Sequence, residues 1–162
     1  MSVPSYSRKE SSVDYIEIAN KLKGAICDLI YSVPSKYRQS YGDILIQDGM
    51  EIFKLVVKAN GIKVNNQSSY SKRMNCLQDA ISLINTIGPN VADLITIIHK
   101  IDGIPNDKVT AKKLKVLNKK QISQKENEIC GLAYRECMLI QKVMQKTSDS
   151  YRKIKEREEA GN

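Results

Sequence analysis

The chain lacks tryptophan, and among its 162 residues it has one phenylalanine, one histidine, four prolines, four cysteines and eight glycines. So little proline and glycine excludes a collagen-like or proline-rich polymer. The four cysteines, Cys27, Cys76, Cys130 and Cys137, form no C-x-x-C pair, and at this density they are not a disulfide scaffold. Cys130 and Cys137 lie seven apart, about 10 Å along a helix, too far to share one zinc ion or one disulfide. All four sit on or beside apolar stripes and are read as small buried hydrophobes. The single histidine, His99, excludes the paired Glu-x-x-His motifs of di-iron helical bundles and is read as a surface or helix-end residue. There is no G-x-x-x-x-G-K-[ST] loop and no G-x-G-x-x-G. The expectation is a non-enzyme with no catalytic residue, no metal and no cofactor. Uninterrupted apolar runs are only a few residues long, which predicts no membrane span. The first ten residues have no apolar core for a signal peptide, so the expected location is cytoplasmic.

Strand signals are missing too: no stretch alternates cleanly, and no tandem repeat is visible. What is present is helical periodicity. Hydrophobic residues make up 41 % of the chain, enough for one domain with a buried core. Residues 1–10 are polar and expected to be disordered. Ser11 or Ser12 is positioned to cap a first helix. Its stripe runs Tyr15, Ile18, Ala19, Leu22, Ala25, Ile26, Leu29 and Ile30, and Pro34 ends it. A second stripe uses Tyr41, Ile44, Leu45, Ile52, Phe53, Val56 and Val57, stopping at Asn60-Gly61. Gly42 and Gly49 share a face of it and would allow a neighbouring helix to approach closely. A polar loop, residues 63–69, precedes a third stripe from Met74 to Ile98 that contains Pro89. A kink is expected near residues 85–88, because proline removes a donor and clashes with the preceding turn.

Residues 102–107 read as a turn. Leu114 and Leu117 anchor residues 109–120, which either join the last helix or stand alone. Ser123-x-x-Glu126 fits a capping box, and the last stripe uses Ile129, Leu132, Ala133, Cys137, Ile140, Val143 and Met144, fading after Tyr151. The expected fold is all-α: an antiparallel four-helix bundle over residues 11–155 with long helices and a kinked third helix, followed by a charged tail, residues 156–162.

Charge is unevenly placed. Lys and Arg total 26 against 18 Asp and Glu, a net +8. Residues 1–107 hold 12 basic and 11 acidic side chains, whereas residues 108–155 hold 13 and 4. Such concentration points to a polyanionic partner, RNA or DNA, although a merely solvated helix face has the same composition. Lys112, Lys115 and Lys119 share a helical face, flanked by Lys113 and Lys120; Arg135, Lys142 and Lys146 form a second stripe. Stripes of this kind neutralise phosphates without reading bases. Tyr31, Tyr37, Tyr41, Tyr134 and Tyr151 are candidates for stacking on unpaired bases, or they pack and cap the bundle.

The stretch from Val33 to Gly42, VPSKYRQSYG, resembles the start of helix two in a small four-helix bundle family, roughly F-P-x-x-x-R-x-x-L-G. Pro34, Arg38 and Gly42 match, Tyr41 stands at the Leu position, and the resemblance continues to Asn60. The family includes the Avd accessory proteins of diversity-generating retroelements and proteins encoded in intervening sequences of bacterial large ribosomal RNA. The resemblance implies a basic pentameric bundle that binds nucleic acid and a reverse transcriptase during mutagenic copying of a template repeat. Lys36 and Arg38, at the start of the second helix, join the candidate nucleic-acid contacts. Arg38 alternatively pairs with an acid such as Asp43 or Asp93.

Overall fold

The computed structural model describes residues 10–101, Thr110, Lys112 and residues 117–160. It is an all-α four-helix bundle, with no strand among the described residues. Helix α1 spans Glu10–Ser32, α2 Asp43–Gly61, α3 Gln67–Ile101 and α4 Lys119–Ala160. A 3₁₀ turn, Ser35–Tyr37, and a π turn, Arg38–Gly42, lead into α2. Each helix packs on two others: α1 on α2 and α4, and α3 on α2 and α4. The apolar stripes therefore close around a single interior.

All eight apolar positions expected for α1 are buried. On α2 the buried face is narrower than expected. It consists of Leu45, Gly49, Ile52, Val56 and Ala59, continued backward by Gly42 of the π turn, all spaced alternately three and four apart. Tyr41, Ile44 and Val57 fall off that seam and are exposed. The two glycines explain the narrowness. A β-carbon on Gly42 would sit 2.7 Å from Ile30 Cγ2, and one on Gly49 3.1 Å from Ile26 Cδ1, so α1 and α2 approach too closely for a broad interface. Phe53 at the flank lies beneath the Lys23 ammonium, 4.4 Å from the ring centre.

Contacts join the beginning of one helix to the end of its neighbour. Tyr15 donates its hydroxyl proton to Asn60 Oδ1 at 3.1 Å. Lys125 of α4 approaches Asp28 of α1 at 3.9 Å. Tyr70 of α3 stacks on Tyr151 of α4 with ring centres 4.5 Å apart, and Tyr151 donates to Gln67 Oε1 at 2.7 Å.

Helix ends depart from expectation where side-chain caps were overlooked. Ser11 and Ser12 lie within α1, not at its cap. Helix α3 begins at Gln67 because Asn66 Oδ1 accepts from the Ser69 N–H at 2.9 Å while Ser69 Oγ accepts from the Asn66 N–H at 3.1 Å. Helix α4 begins at Lys119, not at Ser123. Asn118 Oδ1 accepts from the Gln121 N–H, and Gln121 Oε1 from the Asn118 N–H, both at 3.0 Å. Burial of Ile122 secures that first turn. Thr110 and Lys112 are helical but Leu117 and Asn118 are not, so residues 109–120 do not run continuously into α4. At its far end α4 stays helical past Tyr151 to Ala160, supported by Arg152 within 3.7 Å of Asp149 and 3.9 Å of Glu156.

Helix α3 runs without interruption through Pro89. The helix is long enough to cross a membrane, and its most apolar stretch of 18 residues is apolar enough to do so, although no uninterrupted apolar run in it is that long. Its apolar stripe, from Leu77 through Ile84, Ile87 and Leu94 to Ile98, is buried in the bundle, so the composition is that of a core helix. Residues 1–9, the turn at 102–107 and the end of the tail, residues 161–162, lie outside the described residues.

Candidate nucleic-acid interface

Helix α4 carries five of the ten candidate residues. Lys119 and Lys120 are exposed in its first turn, and Arg135, Lys142 and Lys146 are exposed farther along. With a rise of 1.5 Å per residue, Lys119 and Lys146 stand about 40 Å apart on this one element. Lys112 is also exposed; Lys113 and Lys115 lie outside the described residues.

The structure divides these residues between two flanks of α4. Lys119 and Lys120 border α3, where with Ile95, His99 and Glu126 they line an open cleft of about 440 Å³. Arg135 faces α1. It helps hold the Glu17 carboxyl below its ordinary value, an effect due first to the hydrogen bond and charge of Lys21. Lys146 lies near the other end, beside Tyr15 and Arg73. The basic surface is thus a long band with two edges, not a compact patch.

Lys36 and Arg38 are elsewhere and differ from each other. Lys36 is exposed, with its ammonium 5.1 Å from the Tyr37 ring centre. Arg38 is half-buried. Its Nη2 donates to the Tyr31 carbonyl at 2.8 Å and the Val33 carbonyl at 3.2 Å, and its Nε donates to Val33 at 3.3 Å. It satisfies the carbonyls that end α1, and its partners are main chain rather than Asp43 or Asp93.

The tyrosines divide as well. Tyr37 is buried and Tyr151 is stacked on Tyr70. Tyr31 and Tyr134 are 67 % and 70 % exposed, and these two rings offer faces for stacking. Tyr134 adjoins Arg135 on α4, whereas Tyr31 lies 5.7 Å from the Arg38 guanidinium. The cysteines are all free, but only Cys76 is fully buried, contrary to the reading of four buried thiols: Cys27 and Cys137 are half-buried and Cys130 is exposed, with its Sγ near Gly88 of α3.

Two residues that sequence reasoning passed over are chemically notable. Glu136 is fully buried, and neither carboxylate oxygen has a hydrogen-bond partner. Burial raises its pKa to about 8. Its place on the α4 stripe, between Ala133 and Ile140, was visible in the sequence. Arg73 comes from the near-neutral part of the chain. It donates to the Ile62 carbonyl at 3.0 Å, yet its Nε is buried without an acceptor. No pattern in the sequence singles it out. Among the described residues, no three His, Cys, Asp or Glu side chains gather as a metal-binding set. No family model, curated protein or solved structure matches this chain.

Proposed function

We propose that this chain is a basic, non-catalytic nucleic-acid-binding accessory protein that partners a reverse transcriptase in a diversity-generating retroelement. The observation that carries the nucleic-acid part is the charge of residues 108–155, 13 basic against 4 acidic, with most of its described cations exposed along one long helix. Cations distributed along a rod neutralise backbone phosphates and gain affinity by releasing counterions. The reverse transcriptase, the template-repeat role and pentameric assembly rest on the resemblance from Pro34 to Asn60. Within that stretch Arg38 and Gly42 have structural tasks of their own, ending α1 and admitting it against α2.

The test is affinity for a structured RNA and a duplex DNA across a salt series. The expected result is a steep fall of log K with log salt. In a Lys119/Lys120/Arg135/Lys142→Ala variant, the slope on duplex should be shallower by about 3 to 4. Weak, salt-insensitive binding to both would overturn the reading.

A second reading is a protein–protein adaptor with no affinity of its own for nucleic acid. Exposed apolar side chains favour it: Ile44, Met50 and Val57 on α2, and Tyr134 and Met138 on α4. A protein partner that co-purifies after exhaustive nuclease treatment, with no intrinsic RNA affinity, would select it.

A further inference from the structure

An open cavity of about 310 Å³ lies where α1, α3 and α4 meet, lined in part by Tyr15, Arg73, Lys146, Thr147 and Ser150. We propose that this cavity binds a phosphate group, with Arg73 and Lys146 supplying charge and Thr147 and Ser150 supplying hydroxyl donors.

Four observations lead there. First, Arg73 lines the cavity while one arm of its guanidinium donates to the Ile62 carbonyl at 3.0 Å, which holds the charge in place. Second, Lys146, Thr147 and Ser150 make no hydrogen bond or ion pair among the described residues, so their donors are available. Third, no carboxylate lines the cavity, although carboxylates accompany Lys21, Lys54, Lys125 and Arg152 elsewhere. Two cations therefore share an open cavity with no carboxylate in its wall. Fourth, Thr147 is only 7 % exposed, so its hydroxyl belongs to the cavity rather than to the outer surface.

The chemistry favours phosphate. Donors converge from two helices, Arg73 on α3 and the other three on α4, and a tetrahedral oxyanion presents acceptors in several directions at once. A guanidinium fixed at one arm is pre-organised for such an oxygen. Tyr15 adds no donor, because its proton is committed to Asn60. It supplies wall and apolar contact. The cavity shares Lys146 with the band of cations along α4, but Arg73, Thr147 and Ser150 belong to it alone.

The test is titration of the full chain with inorganic phosphate at constant ionic strength, followed by calorimetry and by amide chemical shifts at Thr147 and Ser150. Saturable binding is expected. It should weaken several-fold in Lys146→Gln and about tenfold in Lys146→Gln/Thr147→Val. The Arg73 anchor runs to the Ile62 carbonyl and uses neither position, and circular dichroism verifies the fold. Absence of saturable binding, or unchanged affinity in the folded double variant, would overturn the proposal. A short 5′-phosphorylated RNA separates the two sources of phosphate. Displacement of that RNA by inorganic phosphate assigns a nucleic-acid phosphate to the site, and phosphate binding without displacement assigns a small phosphate compound. RNA binding that persists when phosphate binding is absent removes the cavity proposal and leaves the nucleic-acid reading standing.

Discussion

Helices α1 to α3 and helix α4 build the same interior in different ways. The first three bury only apolar side chains along their seams, and α1 and α2 meet through glycine-enabled contact at Gly42 and Gly49. All three buried polar side chains among the described residues belong to α4 or its cap: Asn118, Glu136 and Thr147. Helix α4 also carries the exposed cations and extends 42 residues, longer than any other element. The difference teaches that cohesion and surface chemistry are assigned to different helices. Three helices supply an apolar interior, and the fourth accepts polar groups inside while presenting charge outside.

The sharpest way to probe that division is to damage the apolar side. Leu22→Ala, fully buried on α1, should cost about 2–5 kcal/mol in denaturant unfolding, because the removed atoms lose their burial and leave a cavity that the packed neighbours close only in part. The polar side should respond in the opposite direction. Glu136 holds its proton up to about pH 8, well above its ordinary value of 4.5. The folded state therefore binds a proton that the unfolded state releases. Its stabilising contribution is full below the ordinary value and falls as pH rises toward 8, by about 1.4 kcal/mol per pH unit. Glu136→Gln removes that slope and should raise stability at pH 7 by on the order of 3 kcal/mol. Parallel melts of both proteins from pH 5 to 8 measure it, and identical pH profiles would refute the assignment.

The α1–α2 contact offers a graded comparison. In Gly42→Ala the new methyl meets Ile30 Cγ2, a buried branched side chain with little room to yield. A net loss of about 1–2 kcal/mol is expected after the helix-propensity gain is allowed for. Gly49→Ala is tight only against the flexible end of Ile26 at 3.1 Å, with Lys23 Cα in ordinary contact at 3.6 Å, and should be near neutral, about 0.5 kcal/mol either way. Equal effects at the two positions would show that the close approach is not what the glycines provide. The smallest well-defined effect is Asn118→Ala, which opens the cap of α4 and should cost about 1 kcal/mol. It should also raise amide exchange over residues 119–122 while leaving α1 to α3 unchanged.

Much of the bundle was legible in the sequence. The α1 stripe is buried at every expected position, and the α3 stripe is buried from Leu77 to Ile98, because a 3.6-residue period states directly which side of a helix avoids water. The free histidine-poor, motif-poor composition was equally plain. Helix starts were not legible, because a capping side chain competes with several similar neighbours and only the closed hydrogen bonds at Asn66 and Asn118 decide among them. On α2, periodicity alone drew the buried face too wide at Tyr41, Ile44 and Val57.

The candidate interface shows the same split. That the excess charge falls on residues 108–155 is a property of the sequence alone. So are the residue types available to meet a phosphate. Tertiary structure decided which cations face solvent, which flank each occupies, and that Arg38 spends its guanidinium on the end of α1. It alone brought Arg73 beside Lys146 and Thr147 and left Glu136 without a partner in the interior. The physical reason is range. Periodicity and local charge act over one or two helical turns, whereas a buried unpaired donor or carboxyl is defined by what distant helices fail to place beside it.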